Sequence, residues 1–508
     1  MDSDDADKWQ SAMDEEMNSL YENDSFDVVP LPEKAQVVGG RWVYSIKVDP
    51  DGHERYKARY VAKGYSQREG SDFFETFSPT AKMSSVRLLM QISVQLDLHV
   101  HQLDVKTAYL NAPIDTEIYM AQPKGYEVKD NSSTKFVCKL KRSVNGLRQS
   151  GRNWNILLNS FLQSKGFVQC EYEPCLYVYN SNGDIALILI WVDDIVLCVN
   201  NLQFMSDIKK WLMSRFKMKD YGPISCFLGI CIKQENDIIS MNQTDYLKEK
   251  LNKFKLSGCK SRSTPCEMKE ILSNDDSVVS EEQHRLFREM VGSLLYATTC
   301  TRPDLAWVVS KLSQNLSKPT QKDLISVKHV FRYVLNTLDY TLKFSKSENL
   351  VLSGYSDSDW GSSYGRKSTT GYVFSLNKNG PAIQWKAKKQ PTIALSTCEA
   401  EYMAVCNAAQ EATYLSRLLH SLKVLNVSND PVIVNVDNQG TIELSKNPVY
   451  HQRTKHIDIK FHYIRECVNE NRIKLVYIPS GENVADIMTK PATKEKLLKF
   501  VKFLFGEV

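Results

Sequence analysis

The sequence predicts a multidomain protein that combines α+β and α/β architecture, and three observations carry this. The chain has 508 residues, beyond the roughly 250–300 over which a single core keeps growing. Its apolar pattern switches repeatedly between period two and period 3.6, so strands and helices alternate. A block of helical pattern at 285–338 separates a strand-rich first half from a last unit of three strands, one long helix and a further strand.

Composition narrows the class. With 42% hydrophobic and 24% charged residues, the chain is ordinary for a folded protein. A net charge of +4 is too mild to argue nucleic-acid binding alone. There is no run of about 18 apolar residues and no charged–apolar–small leader, so neither a membrane span nor secretion is expected. The 12 cysteines are scattered without a Cys-x-x-Cys pair, which suits a reducing compartment better than a disulfide framework.

Residues 1–35 form an acidic segment. The stretch RWVYSIKVDPDGHERYKARYVAKGY then predicts a hairpin turning at Asp49-Pro-Asp-Gly52. Its strands interleave Lys47, Arg55, Lys57, Arg59 and Lys63 with Trp42, Tyr44, Tyr56, Tyr60 and Tyr65. That mixture suits phosphates and bases, and equally an exposed hairpin face. Residues 84–98 read as an amphipathic helix capped by serines, and VHQLDV as a strand carrying Asp104 near its end. In ALILIWVDDIVLCV two aspartates, Asp193 and Asp194, interrupt an otherwise buried run. Unpaired buried carboxylates are costly. The acids therefore belong at a hairpin tip, either simply in water or holding cations together with a carboxylate from elsewhere.

Polar, acidic residues 267–284 read as a linker, and 285–346 as a small helical bundle. In 350–495, VLSGYSD, TGYVFSL and AIQWKA predict an antiparallel meander, and PVIVNVDN a buried parallel strand. Between them, 397–422 places Tyr402, Val405, Ala409, Ala412, Leu415, Leu419 and Leu422 on one helical stripe. Asp357 closes the first strand, Glu401 lies near the start of the long helix, Asp437 closes the buried strand and Asp486 begins another predicted helix. Four acids at element ends fit a two-metal nuclease centre. A second cluster, His451, His456, His462 and Cys467, lacks the convergence zinc requires. There, Ile459, His462, Tyr463 and Cys467 fit one face of a packed helix better.

A dozen stretches, in order, carry a resemblance: RWVYSIK, YKARYVAKGYSQREGSDFFETFSP, HQLDVKTAYLNA, VNGLRQSGRNW, WVDDIVLC, CFLGICI, MVGSLLYATTCTRPDLAW, YSDSDW, CEAEYMAV, VDNQGTIEL, RTKHIDI and VADIMTKP. Over 38–490 the chain resembles the reverse transcriptase and ribonuclease H region of copia-type LTR retrotransposon Pol polyproteins. The resemblance implies right-hand polymerase fingers and palm in 36–266, a helical thumb in 285–346 and a ribonuclease H-like domain in 350–495. It implies an RNA- and DNA-directed DNA polymerase that also cuts RNA in RNA/DNA hybrids.

By the same resemblance Asp104 and Asp193 bridge two Mg²⁺ ions, with Mn²⁺ as an alternative, and Asp194 supports them. Lys57, Arg59 and Lys63 are candidates for the triphosphate, Tyr109 for the gate against a ribose 2′-hydroxyl, and Gln149 for the incoming nucleotide. Phe227, Leu228 and Gly229 match a primer grip. Asp357, Glu401, Asp437 and Asp486 match the nuclease metal ligands, with Asp359 the rival of Asp357. The implied partners are an RNA template, a DNA or tRNA primer, deoxynucleoside triphosphates and the hybrid, with no membrane.

The family's protease and integrase are not recognised in the chain, which reads as a processed product or a truncated copy, cytoplasmic in a virus-like particle or nuclear. It departs from the family at Trp191, where Tyr is usual, at Ser150-Gly151 for Ala-Pro, and at Val144-Asn145-Gly146 for Leu-Tyr-Gly. These departures leave two alternatives, an inactive nucleic-acid-binding remnant and a chain retaining only the nuclease.

Overall fold

The computed structural model describes residues 5–48, 53–128, 134–267, 277–361, 365–425, 428–446 and 458–506. It is mixed α/β, as expected, and packs as two units. One comprises Met1–Ala81, His101–Cys170 and Pro174–Gly222; the other comprises Lys82–Val100, Glu171–Glu173 and Pro223–Val508.

In the first unit a six-stranded sheet runs in the order Met218–Pro223, His99–Val105, Asp194–Val199, Asp184–Trp191, Leu176–Ser181, Val168–Gln169. Residues 186–190 and 195–199 are buried without a break, which is why this stretch shows no alternation in sequence. Helices Ser150–Ser164 and Leu202–Arg215 supply Trp154, Leu158, Ile208 and Leu212 to a core against Leu103, Val105, Ile188 and Leu197.

The hairpin Gly40–Val48 and Glu54–Ala62 forms with Trp42 opposite Tyr60, Tyr44 opposite Ala58 and Ile46 opposite Tyr56; its turn lies outside the described residues. The acidic segment is not a loose lead-in. Its helix Ala6–Glu22 packs on this hairpin, burying Ala12 and Met13 with Ala58. Trp9 sets its ring edge-on to Tyr44 and Tyr56 at 5.1 and 4.6 Å, and Glu16 accepts a hydrogen bond from the Tyr60 amide at 3.2 Å. Strand period two sends Tyr56, Ala58 and Tyr60 toward the helix and Lys57 and Arg59 the other way.

In the second unit the helix Met83–Gln95 is buried from Ser84 to Val94, its polar Ser84, Arg87 and Gln91 included, so its polar side meets protein and not water. Nor do its serines cap it. The Ser85 hydroxyl instead donates to Glu173 at 2.7 Å. Arg87, fully buried, donates to the carbonyls of Thr299, Cys300 and Ile383, each at 2.7 Å, and lies 3.9 Å over the Trp385 ring. It thereby satisfies carbonyls that the end of helix Glu281–Cys300 leaves open. That helix starts four residues ahead of the predicted bundle, because Ser280 and Gln283 form a capping box; residues 268–276 of the linker lie outside the described residues. Helices Ala306–Ser313 and Gln321–Asn336 follow.

Four short strands, Cys226–Phe227, Ile230–Glu235, Ile238–Asn242 and Leu342–Ser345, form a separate antiparallel sheet. The last sheet runs Gln384–Lys389, Thr369–Ser375, Ser353–Asp359, Val432–Val436, Ile473–Tyr477. Its first three strands are the expected antiparallel meander, and the other two are parallel to Ser353–Asp359. The helix Thr397–Leu422 spans the length its apolar stripe predicts and packs against this sheet. His451 and His456 lie outside the described residues. His462 is exposed and Cys467 buried, so these two do not share the face the sequence suggested. Among the described residues no helix is long and apolar enough to cross a membrane.

One buried ion pair braces the helical region. Arg302 grips Asp304 with two bonds, at 2.9 and 2.7 Å, and donates to the Thr337 hydroxyl and carbonyl at 2.6 and 3.1 Å. Removing one partner of such a pair strands the other charge. Asp304→Ala should therefore lower unfolding free energy by about 3–5 kcal/mol, measured by urea denaturation, whereas replacing Arg302 and Asp304 together by apolar residues should cost clearly less.

Candidate active sites

The two aspartates of ALILIWVDDIVLCV stand at a tight turn. Trp191 pairs with Asp194 and Ile190 with Ile195, leaving Val192 and Asp193 as the loop. Val192 has φ +57°, a conformation that costs an L-residue about 1–2 kcal/mol and suits a β-branched one least. The turn is held by the buried Trp154, whose indole N–H donates to the Val192 carbonyl at 2.7 Å. The Asp193 carbonyl accepts from the Val105 amide at 2.9 Å. This bond places Asp193 next to the strand end that carries Asp104. Asp194 accepts from Gln102 Nε2 at 3.4 Å. All three acids are half-buried, and their carboxylates do not all lie within 4.8 Å of one another.

Tyr109 sits in the short helix Ala108–Asn111, packed at the edge of the same core. Burial raises its hydroxyl pKa, the Asp193 charge raises it further, and Arg59 opposes both. Asp193 and Arg59 are therefore both within electrostatic reach of Tyr109. Lys57 is half-buried on the Arg59 face and Lys63 lies just past the strand.

Gln149 requires a correction. It is fully buried, and its amide donates to the Asp72 carbonyl and the Thr116 hydroxyl at 2.9 and 3.2 Å and accepts from Gln67 at 3.1 Å. With its polar atoms engaged by protein, it orders the 67–72 loop instead of facing a nucleotide. Its neighbour Ser150 donates to the Val144 carbonyl at 2.6 Å, so the Ser150 departure places no unsatisfied hydroxyl in the core. Phe227 is buried, and Leu228 and Gly229, at φ +52° and +70°, form a two-residue turn in the second unit. The Tyr296 hydroxyl donates to the Leu228 carbonyl.

The second unit gathers three acids. Among the described residues, Asp357, Glu401 and Asp437 are the one group whose ligand oxygens all lie within 4.8 Å of one another. Asp357 is on the strand where the antiparallel and parallel parts of the sheet meet, Asp437 follows the adjacent parallel strand, and Glu401 comes from the helix packed over both. Glu401 Oε1 accepts from the Ser358 amide and hydroxyl, both at 3.0 Å. Its other oxygen, Oε2, is buried without a hydrogen-bond partner. Asp357 accepts from the Thr489 hydroxyl. Burial pushes the Asp357 carboxyl up to about 7, Lys490 and Thr489 draw it down, and Asp486 and Asp437 add to the rise. Glu401 is raised by burial and then by the charges of Asp357 and Asp437.

Asp486 departs from expectation. It stands on a 3₁₀ turn, Val484–Met488, and its carboxylate is held by Lys490 and Lys496 at 2.5 and 2.7 Å; it does not join the three. Asp359 points elsewhere too, accepting from the Thr369 amide. The residues sequence reasoning missed are Trp154, the two lysines and Tyr296. Trp154 left a signal, since a buried indole N–H needs an acceptor; the lysines left none.

Comparison with known proteins places the chain in a family. The family described as Reverse transcriptase (RNA-dependent DNA polymerase) matches residues 23–268. A retrovirus-related Pol polyprotein from transposon TNT 1-94 of Nicotiana tabacum is 38% identical over 495 residues, 96% of this chain and 37% of that protein. One from transposon RE2 of Arabidopsis thaliana is 35% identical over 497 residues, 97% of this chain and 34% of that protein. The chain belongs to the Pol polyproteins of copia-type transposons. It spans about a third of the length of these relatives.

Among solved structures, a foamy virus protease-reverse transcriptase aligns with 93% of this copia-type chain and 53% of its own, at 14% identity and a TM-score of 0.29. A ribonuclease H1 in complex with an RNA/DNA hybrid aligns with 27% of this chain and 93% of its own, at 17% identity and a TM-score of 0.21.

The raised Asp357 carboxyl has a consequence for stability. Below about pH 4 it is protonated folded and unfolded alike, and its contribution is fully present. As pH climbs to about 7 the unfolded chain ionises first, so stability is lost across that window. Asp357→Asn should therefore stabilise the protein in chelator at pH 8, by about 2 kcal/mol, with the gain vanishing near pH 4; thermal melts at the two pH values measure it.

Proposed function

We propose that this segment copies RNA and DNA templates into DNA through Asp104 and Asp193, and cuts the RNA of RNA/DNA hybrids at Asp357, Glu401 and Asp437. The observation that carries the reading is the convergence of three acids, two of them buried with raised pKa values and one with an unpartnered oxygen, in a chain whose residues 23–268 match a reverse transcriptase family.

An all-oxygen set of carboxylates fits a hard divalent cation, Mg²⁺ or Mn²⁺. Asp357, Glu401 and Asp437 would hold it in the second unit, and Asp104 with Asp193 in the first, two ions to a site. When bound, such cations polarise phosphoryl oxygens and lower the pKa of the attacking hydroxyl or water.

The chain's own residues supply the rest. Trp154 fixes the Val192 carbonyl and with it the reach of Asp193. Tyr109, beside Asp193, crowds the sugar of an incoming nucleotide and selects against a 2′-hydroxyl. Arg59, exposed on the same side, pairs with triphosphate oxygens, and Lys57 and Lys63 add charge. The turn at Phe227, Leu228 and Gly229 bears on the primer strand. In the nuclease, Ser358 orients Glu401 and leaves its second oxygen for a cation, while Lys490 and Lys496 hold Asp486 as a positioning residue. Recognition of the hybrid rests on the 2′-hydroxyls of the RNA strand and on helix shape.

The burial of Gln149, its amide engaged by Asp72, Thr116 and Gln67, favours one second reading, a chain that retains only the nuclease. Primer extension on an RNA template with Mg²⁺, run beside cleavage of a labelled RNA/DNA hybrid, separates the two. Asp193→Asn should abolish extension and spare cleavage, and Asp437→Asn should do the reverse. Cleavage without extension by the wild-type protein would leave the second reading. Independently of activity, Mg²⁺ should raise the melting temperature at pH 8, and Asp437→Asn should blunt that response.

A further inference from the structure

Residues 226 and 231 are both cysteines, and a hairpin makes them neighbours. Cys226–Phe227 and Ile230–Glu235 pair with Phe227 opposite Ile230 and Cys226 opposite Cys231. Leu228 and Gly229, both at positive φ, close the turn as a two-residue hairpin demands. The next bond outward runs from the Ile232 amide to the Ser225 carbonyl at 2.9 Å. Cys226 and Cys231 are thus the non-hydrogen-bonded pair between two bonded ones. At such a pair the Cα atoms stand about 4.5 Å apart and the side chains lean together, within the roughly 4.4–6.8 Å that a disulfide spans.

The thiols are also accessible. Phe227, Ile230 and Ile232 are buried, so alternation turns both sulfurs to the other face. Among the described residues Cys226 is the one exposed cysteine; Cys231 is half-exposed, and Cys138, Cys170, Cys175, Cys198 and Cys300 are buried. The Cys231 thiol donates to Asp245 at 3.5 Å. Burial, with Asp245 and Cys226 adding to it, pushes that thiol up to about 11, so oxidation starts at Cys226.

We infer that Cys226 and Cys231 are a reversible redox pair that hydrogen peroxide closes into an intrachain disulfide across the neck of the 226–231 hairpin. In the first step the Cys226 thiolate attacks peroxide: an S–O bond forms, the O–O bond breaks and hydroxide leaves, giving a sulfenic acid. In the second, Cys231 loses its proton and attacks that sulfur. The S–S bond forms, the S–O bond breaks, and the oxygen departs as water. Two thiols and one peroxide become one disulfide and two waters, and a dithiol reductant reverses the change. The cross-link ties the two strands beside the Leu228 carbonyl that Tyr296 holds. Its effect on synthesis rests on the proposed primer contact at residues 227–229; the chemistry of the pair does not.

Both cysteines fall in one tryptic peptide, residues 220–233, with no third cysteine. After brief peroxide treatment of the full chain and alkylation, this peptide should lose both alkyl groups and weigh two hydrogens less than its free dithiol, reversibly with dithiothreitol. In Cys231→Ser, Cys226 should instead be trapped by a sulfenic-acid probe. Sulfinic Cys226 with Cys231 still alkylated, or a bond from Cys226 to another cysteine, would overturn the pairing. Oxidation should also slow extension several-fold in the wild type and leave Cys226→Ser unchanged. A complete disulfide with unaltered extension would overturn the switch but not the polymerase. Absence of extension by the reduced protein would count against the polymerase reading, with the peptide masses still deciding the pair.

Discussion

The constraint on which the rest of this structure turns is the cost of placing negative charges together away from water. In the second unit Asp357 and Glu401 are buried side by side with Asp437, and burial with mutual repulsion raises the first two carboxyls out of their usual range. A hydrophobic protein interior does not tolerate such a group of charges without compensation. The fold assembles it from the strand at the middle of the sheet, its parallel neighbour and the start of the long helix, three places that packing holds firmly. The same constraint has another solution in the first unit, where the acids stay half-buried at a turn and the backbone, through Val105 and Trp154, fixes their position.

Local periodicity made much of the fold legible. The stripe from Tyr402 to Leu422 marked a helix of the right length, and the unbroken apolar runs around Asp193 marked central strands. Asp357 and Asp437 were legible as site candidates because they lie near the ends of strands that the pattern locates. What the sequence hid depends on partners far along the chain. Nothing near Trp9 says that it packs on Tyr44 and Tyr56. Lys490 and Lys496 are one and nearly three helical turns from Asp486 in sequence, yet both reach it in space. Gln149, expected from the resemblance to meet a nucleotide, has its amide consumed by Asp72, Thr116 and Gln67.

The departures from the family pattern look less disruptive in three dimensions. Ser150 finds the Val144 carbonyl, and Trp191 occupies a half-exposed strand position opposite Asp194, where extra bulk meets no closed core. Trp154, one turn past Ser150, has the larger structural part, since it braces the strained turn from beneath. The chain's ability to act thus depends less on its unusual residues than on whether cations take up the two sets of acids.

Diffraction from crystals soaked in Mn²⁺ tests that dependence most directly. An anomalous peak bounded by Asp357, Glu401 Oε2 and Asp437, with Asp486 still on Lys490 and Lys496, is the result this account predicts. A peak that recruits Asp486 in place of Glu401, or no peak at the three acids, would contradict it.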